Sequence, residues 1–491
     1  MSTVNHKIAI GAIWSLITRL TIKLLGFIST MILARILFPE DFGLIALTMT
    51  MVALFEIFSS FSFDINIIQK DNVTDDTLNS AWTCKVISGL ILAVLLFVCS
   101  GLLADFFNDE RLDLLISVIA LLPLLKGFEN IGFVLFRKEL DLKKEFTLEV
   151  VAKITSFVVT ISAAFILRSY WALVIGMFTN SLVRVILSYV MHSYRPRPSL
   201  VEARELFAFS KWLLLNNLLI FFNHKITDLV IGRQADASEL GYYSLAYEVS
   251  NLPTTELVFP LSRAVFPGYA KLKNDLEALK NSFLKFTSLI VYVASPICFG
   301  MAATANELVV VLLGDRWNNI TPMISLLAFF GLLRCAVQNT GSIYLVLNKP
   351  KIPVVFSVVR LVLLTPILIL VVPDYGGYGA SAAILLVTAL ITPFAFIVVG
   401  RMLKLKATEV LSIFSFPIAA SAVMYFSVLQ FEIIYTLNGY SSPLLLLILK
   451  VSIGTCIYLL LSILYTRMFP SNNVVKDVVF KVKDIIGSQK K

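Results

Sequence analysis

The chain has 491 residues, of which 58% are apolar and only 15% are charged. A soluble protein of this length needs far more polar surface to cover its core, so the composition excludes a soluble globular protein. The apolar residues fall in runs of about 20, the length that crosses a hydrocarbon layer as a helix. Because lipid offers no hydrogen-bond partners, each run must satisfy its own backbone. The sequence therefore predicts an all-α polytopic membrane protein.

The net charge of +9 arises from 41 Lys and Arg against 32 Asp and Glu. A basic balance can indicate nucleic acid, but no soluble domain is available to carry a binding face. The five cysteines lie inside or beside apolar runs with no C-x-x-C pair, and the three histidines are too scattered for a metal centre. No G-x-x-x-x-G-K-[ST] phosphate loop occurs. We therefore expect no metal, no cofactor, no nucleic-acid partner and no direct coupling to ATP.

Fourteen segments are predicted to be membrane helices, with both chain termini in the cytoplasm. In chain order they are 11–36, 42–63, 80–104, 112–134, 147–167, 170–192, 207–232, 241–267, 283–304, 319–346, 353–372, 377–400, 409–430 and 442–466. In this frame the cytoplasmic segments hold 23 Lys and Arg and the external loops hold four, an asymmetry that sets orientation. Segment 241–267 is the least apolar, but removing it would place the later basic loops outside. The charge distribution therefore argues that this segment spans the membrane.

A short internal repeat divides the chain into two blocks. Each copy, 35–47 and 233–245, has an arginine, an acidic residue six positions later and a glycine two positions further on. Each copy precedes the second helix of a six-helix block, and an even number of spans gives both blocks the same orientation, as in parallel repeats. We predict two six-helix lobes around a central cavity, followed by a helix pair and a tail. The predicted ranges are 1–200, 201–405, 406–466 and 467–491.

The tail after residue 466 has apolar residues at helical spacing with lysines between them. This pattern is typical of a basic amphipathic helix lying on an anionic inner leaflet. A solvated tail without regular structure is the alternative.

Five segments carry a resemblance to a known family. They are LFPEDFG at 37–43, FDINIIQK at 63–70, LGYYSLAY at 240–247, Leu252-Pro253 and VFP at 265–267. They resemble the polysaccharide-transporter family of the multidrug/oligosaccharidyl-lipid/polysaccharide superfamily, closest to its colanic-acid and teichuronic-acid exporters. The resemblance covers about residues 5–400. It implies two six-helix lobes, alternating access and export of undecaprenyl-diphosphate-linked oligosaccharide across the bacterial inner membrane, without identifying the sugar.

Two cations on the first helix are the first candidate site. Arg19 and Lys23 are four residues apart, so they share a helix face, and neither is near a helix end. Gly26 and Thr30 continue that face and leave room beside the two cations. A charged side chain inside a membrane is costly, and two long cations suit a diphosphate. We predict that Arg19 and Lys23 bind the diphosphate; the alternative is an ion pair with a buried acid such as Glu56.

The eighth predicted helix carries a second constellation. Pro253, Glu256, Pro260, Arg263 and Pro267 recur at spacings of three and four and line one stripe. Membrane helices tolerate proline where the stripe faces a cavity. We predict that Arg263 contacts the same diphosphate from the opposite lobe and that Glu256 lines the cavity. An internal Glu256–Arg263 ion pair is the alternative.

The seventh predicted helix places Asn217, His224 and Asp228 on one face, with Lys225 beside them. His224 and Asp228 have the spacing of a relay for H⁺ or Na⁺, with a hydrated mouth or a local ion pair as alternatives. Weaker candidates within the predicted spans form a second set: Lys126, Glu129, Arg184, Arg334 and Arg360. Lys126 and Glu129, at spacing three, are expected to pair with each other, and Arg334 is a possible cavity residue.

Three function classes remain open at this stage. A flippase is favoured because the cations within the predicted spans suit an anionic cargo. A multidrug antiporter of the same superfamily would share the fold but needs an acidic cavity for cationic drugs. A polysaccharide polymerase or ligase would need a large external loop for its active site, whereas the predicted external loops are short. We therefore expect a transporter and not an enzyme, working among membrane lipids and alongside a polysaccharide polymerase.

Overall fold

The computed structural model describes residues 2–59, 63–203, 211–437 and 442–468, in which all regular structure is helical. The helices of its first part are α1 (Ser2–Ile36), α2 (Pro39–Ser59), α3 (Phe63–Gln69), α4 (Asp75–Phe107), α5 (Arg111–Ile119), α6 (Leu121–Gly127), α7 (Val134–Lys138), α8 (Leu142–Leu167) and α9 (Trp171–Met191). Those of its second part are α10 (Lys211–Gln234), α11 (Ala237–Lys271), α12 (Leu276–Ala303), α13 (Ala305–Leu312), α14 (Thr321–Val346), α15 (Lys351–Leu403), α16 (Ala407–Leu437) and α17 (Pro443–Met468). The predicted tail at 467–491 lies outside the described residues beyond Met468.

Nine of the described helical segments are long and apolar enough to cross a membrane. A tenth is formed if the bent pair Arg111–Gly127 and Ile131–Lys138 counts as one span. Helices α2, α10 and α11 coincide with predicted spans but are not among the nine. These observations confirm the prediction of an all-helical, multi-pass membrane protein.

Helix α15 is 53 residues long, about 80 Å at 1.5 Å per residue, far more than the roughly 30 Å of a hydrocarbon core. Its backbone breaks at Gly376, where φ is 51° and ψ is −137°. An L-residue rarely adopts this conformation, whereas glycine does so freely. The break divides α15 into two segments that match the predicted spans 353–372 and 377–400.

The predicted span 112–134 is not one straight helix. The chain bends by 60° between 111–127 and 131–138. Asn130 adopts an extended conformation, with φ −64° and ψ 112°, and its side chain accepts a hydrogen bond from the Gly132 N–H. An Asn side chain that caps the next turn competes with continued helix, which accounts for the break.

The chain folds as two compact units, 1–241 and 242–491. In the first unit, small residues bring helices together. The Ser156 hydroxyl on α8 donates to the Gly176 carbonyl on α9 at 2.8 Å, and any side chain on Gly176 would overlap Thr160. Such small-residue contacts allow the close backbone approach that stabilises helix pairs in lipid.

The two copies of the sequence repeat meet through their glycines. A Cβ atom on Gly43, in the first turns of α2, would overlap the Ala237 carbonyl, and one on Gly241 would overlap the Pro39 carbonyl. Each position also lies close to the other glycine's backbone nitrogen. The glycine shared by the two copies is therefore required by close packing between the beginnings of α2 and α11.

An extended segment, 192–200, lies against the beginning of α4. Asn79 Oδ1 accepts hydrogen bonds from the Arg197 N–H at 2.7 Å and from the Tyr194 hydroxyl at 2.6 Å. Just beyond it, Glu202 forms a 2.6 Å ion pair with Lys70. The hydrogen bond from Lys70 lowers the pKa of the Glu202 carboxyl. This ion pair is therefore present at neutral pH and is lost as the pH falls through that lowered pKa.

The second unit has a core built from α11, α12, α14, α15 and α16. Tyr269, Phe283 and Tyr344 are fully buried within it, beside Phe396. The Tyr344 hydroxyl donates to the Ala395 carbonyl at 3.0 Å, so the one polar atom of this ring is satisfied. Helix α17 packs on α16 through Gly454, which lies against Met424 and Val428.

Candidate functional site

The predicted diphosphate cations lie on α1, in the first unit. Arg19 is half-buried and Lys23 is exposed. A Cβ on Gly26, further along the same face, would have no atom within 4 Å, so the helix has open space there. This space accommodates long side chains or part of a ligand, and the assignment of Arg19 and Lys23 to the diphosphate stays a prediction.

The predicted stripe on the eighth span lies in α11, which is helical throughout Ala237–Lys271. The side chains of Glu256 and Arg263 lie outside the described part of the structure. The predicted roles of both residues, and the alternative ion pair between them, therefore remain predictions.

Asp228 on α10 is a buried carboxylate in the first unit. Lys225 Nζ lies 2.7 Å from Asp228 Oδ2, and the Thr50 hydroxyl on α2 lies 3.3 Å from the same oxygen. His224 is exposed and Asn217 is half-buried. The local ion pair that the sequence left as an alternative is present, and Lys225 is the cation in it. A cation relay through His224 and Asp228 stays a prediction.

The expected pairing of Lys126 with Glu129 is wrong. Lys126 Nζ lies 3.0 Å from Glu56 Oε1 on α2, and Glu129 pairs with Arg184 at 3.2 Å. The physical reason is that α6 ends at Gly127, so Lys126 and Glu129 do not share a continuous helix face. Arg184 also contacts Glu149 at 2.5 Å, and these contacts join α8 and α9 to the turn after α6.

Two arginines share one aromatic ring in the second unit. The guanidinium carbon of Arg334, on α14, lies 5.6 Å from the Phe330 ring centroid, and that of Arg360, on α15, lies 5.9 Å from it. Arg334 donates to the Thr254 hydroxyl at 3.1 Å. The Tyr247 ring lies 6.3 Å from Phe330. Cation–π contact orients both guanidinium groups on this ring.

Neither Arg334 nor Arg360 has a carboxylate partner among the side chains that the structure describes. Two guanidinium groups without a carboxylate partner among the described side chains attract an anion, and their planar donors suit phosphate or carboxylate oxygens. The flanking aromatic rings offer flat apolar faces. This arginine pair can hold an anionic group beside a flat ring. The sequence marked both residues only as weak candidates, because it does not reveal which cations are paired.

A groove of about 780 Å³ lies between α15 and α16. Its walls are almost entirely apolar and include Phe396, Phe414 and Leu405, while Arg401 and Lys404 line it as well. An apolar groove with two cations fits a lipid that has an anionic head group.

A buried charge cluster joins α13, α16 and α17. Lys450 Nζ lies 2.8 Å from Glu307 Oε2 and 2.8 Å from Glu432 Oε2. The cluster was not predicted from the sequence. A signal was present: Lys450 is the only charged residue within the predicted span 442–466.

Residues 32–322 match the polysaccharide biosynthesis protein family. The lipopolysaccharide biosynthesis protein WzxC of Escherichia coli K12 is 28% identical over 400 residues, which cover 81% of each chain. The teichuronic acid biosynthesis protein TuaB of Bacillus subtilis is 24% identical, covering 70% of this chain and 72% of TuaB.

Among solved structures, the lipid II flippase MurJ in an inward closed conformation has a similar fold. Its TM-score is 0.74 at 13% identity, covering 93% of this chain and 99% of MurJ. The resemblance found in the sequence is thereby confirmed, and the family match extends over more than half of the chain. The chain belongs to the polysaccharide biosynthesis protein family.

Proposed function

We propose that the chain is a flippase for undecaprenyl-diphosphate-linked oligosaccharide, the repeat unit of an exopolysaccharide or O antigen. It carries this lipid across the bacterial inner membrane by alternating access. The observation that carries the proposal is that a multi-pass membrane protein belongs to a polysaccharide biosynthesis family. WzxC and TuaB are named for the biosynthesis of lipopolysaccharide and teichuronic acid, which supports a polysaccharide cargo.

The charge of the second unit favours an anionic cargo over a cationic drug. Arg334 and Arg360 face a shared ring, with no carboxylate partner among the described side chains. A diphosphate or an acidic sugar neutralises such a pair, whereas a cationic drug is repelled by it. The multidrug antiporter therefore ranks second. We infer a transporter and not an enzyme, because the fold is similar to that of a flippase.

The membrane arrangement we propose has 14 crossings with both termini in the cytoplasm. This count includes α2, α10 and α11 as membrane spans. It takes α5 together with α6 as one span and α15 as two spans, which gives the predicted frame. The 23-to-4 distribution of basic residues supports this orientation. Two six-helix lobes, bounded near residues 200 and 405, and a following helix pair complete the proposed arrangement.

Arg19, Lys23 and Arg263 are proposed to hold the diphosphate. Two of these cations share one helix face and the third lies on another helix. The diphosphate therefore favours the conformational state in which all three cations reach it. The residues proposed for ion coupling or for lining the cavity are Glu56, His224, Lys225, Asp228, Glu256 and Arg334. The coupling ion is proposed to be H⁺ or Na⁺, and a polysaccharide polymerase is the proposed downstream partner.

Deletion of the gene in its own bacterium tests this function. Surface polysaccharide should disappear while its lipid-linked repeat unit accumulates on the cytoplasmic side, protected from external enzymes. Loss of a polymerase would instead leave the accumulated lipid accessible from outside. Unchanged surface polysaccharide, with altered resistance to cationic drugs, would favour the antiporter.

Complementation with variants tests the arginine pair. Arg334→Gln and Arg360→Gln should each restore at most a tenth of the polysaccharide, because a hydrogen bond to a charged group contributes about 1.5–3 kcal/mol. Lys349→Gln removes an equal charge at an exposed position and should restore it fully. Full restoration by both arginine variants would remove the pair from the substrate path.

A further inference from the structure

The buried charge cluster of α13, α16 and α17 has no part in the proposed binding of the diphosphate. Lys450 is 1% exposed and Glu307 is 3% exposed, whereas Glu432 is 31% exposed. Lys450 donates hydrogen bonds to Glu432 Oε2 at 2.8 Å and to the Ala303 carbonyl at 3.3 Å. We call Glu307, Glu432 and Lys450 the triad. Its residues come from three helices that meet at one end of the second unit.

The triad has one carboxylate too many. With all three groups ionised, one ammonium faces two carboxylates, which leaves a net charge of −1 in a place that is mostly closed to water. Such surplus charge is costly in a low dielectric.

The hydrogen bonds of the triad are one donor short. Glu307 Oε2 forms an ion pair with Lys450 Nζ at 2.8 Å but is not hydrogen-bonded by it. This buried oxygen therefore receives no hydrogen bond from the described residues. A buried acceptor without a donor is destabilising, and a proton on either carboxylate removes the surplus charge.

Other ionisable groups near this end do not supply the missing positive charge. Asp315 and Arg316, in the turn after α13, are exposed. Tyr435 on α16 donates to the Ser442 carbonyl at 3.4 Å. Within the part of the chain that the structure describes, the three triad side chains form ion pairs only with one another.

We propose that the triad is a binding site for one proton, which enters from the aqueous phase through Glu432. The proton moves from hydronium to a carboxylate oxygen, and no other covalent bond changes. A neutral Glu432 leaves Lys450 and Glu307 as a balanced pair. Its own hydrogen bond to Lys450 then loses one charged partner and weakens, because charge-assisted hydrogen bonds are the stronger kind. Protonation therefore loosens α16 from α17 while α13 and α17 stay joined.

This site rests on the proposed function in one respect: it would couple transport to a proton gradient. In the proposed membrane frame the triad lies at the external ends of its helices, opposite the basic loops. An acidic exterior would then load the site from outside. A permanently ionised structural ion pair is the competing interpretation.

Infrared difference spectroscopy of the purified protein in detergent tests the proton site directly. The pH is the only variable, and the protonated-carboxyl band is the signal. The wild type should gain one protonated carboxyl on acidification that Glu432→Gln lacks. Glu409→Gln is the matched control, because Glu409 also lies on α16, has a 30% exposed side chain and pairs with a single lysine, Lys280, at 2.9 Å.

The control variant should keep the triad's signal. An unchanged signal in both Glu432→Gln and Glu307→Gln would show that the triad is only a structural ion pair. Because Glu432 is partly exposed, its variant should fold even where the Glu307 variant does not, so the comparison stays decisive.

Transport in liposomes tests the coupling separately. The probe is an undecaprenyl-diphosphate-linked oligosaccharide, with an imposed pH gradient. The rate of lipid movement by the wild type should rise with external acidity. The rate for Glu432→Gln should not depend on the pH gradient. A gradient response retained in Glu432→Gln would overturn the coupling. No lipid movement by the wild type would overturn the proposed function, while the infrared result would still decide the proton site.

Discussion

At the scale of single residues, the contact between Gly43 and Gly241 ties a sequence pattern to a packing requirement. The two glycines occupy matching positions in the repeat, and neither has room for a Cβ because a carbonyl of the other helix occupies its place. The sequence revealed the repeat but not the contact, because two matching glycines 198 positions apart do not indicate that they touch. Only the fold brings Ala237 onto Gly43.

Gly43→Ala should destabilise the protein by about 1–3 kcal/mol or more, because overpacking forces the backbones apart. Thermal unfolding of the purified protein in detergent measures this change. Gly341→Ala is the matched control, since a Cβ there meets no atom within 4 Å and alanine favours a helix. Equal melting temperatures for Gly43→Ala and wild type would contradict the close approach.

Ion pairing was the least predictable property at this scale. The spacing predicted an ion pair between Lys126 and Glu129. Because α6 ends at Gly127, Lys126 instead pairs with Glu56, and Glu129 pairs with Arg184. Partners far apart in the chain, such as Glu307 and Lys450, lie 143 positions apart and follow no local rule. Which charges are neutralised therefore depends on the tertiary fold, and so does the identification of a binding site.

At the scale of helices, apolar runs gave a reliable prediction. The break in α15 at Gly376 falls at the predicted turn, because a 53-residue helix cannot cross a bilayer once. The bend at Asn130 was not predicted, since an apolar run looks continuous whether or not a side chain caps a new turn inside it. Hydropathy alone does not identify helix α11 as a span, whereas the distribution of basic residues supports its crossing of the membrane.

Cysteine labelling should report opposite sides of the membrane for the two ends of α12. Asn274→Cys and Asn318→Cys are both exposed positions, suitable in a background without the five natural cysteines. A membrane-impermeant maleimide should label residue 318 in intact cells and residue 274 only after permeabilisation. Lys143→Cys, in a predicted cytoplasmic loop, is the control for the inner side. Labelling of 274 and 318 from the same side would rule out the proposed 14-crossing frame.

At the scale of the whole molecule, the all-helical membrane fold and the family could be predicted from the sequence. Composition indicated the class of protein, and the segments around Gly43 and Gly241 indicated the family that residues 32–322 match. The chemistry of the site was less accessible. Arg334 and Arg360 come together on Phe330 only because α14 and α15 pack side by side.

Reconstituted lipid movement is the most direct test of the central claim that this chain flips a lipid-linked oligosaccharide. Purified protein in liposomes, loaded with the lipid on one leaflet, is assayed by the access of a sugar-cleaving enzyme added outside. We expect protein-dependent exposure of the sugar, reduced at least tenfold in Arg19→Ala and in Lys23→Ala, since each loses a charged contact of about 1.5–3 kcal/mol. The claim would be contradicted if the folded protein exposed the sugar no faster than protein-free liposomes do and moved a cationic dye instead.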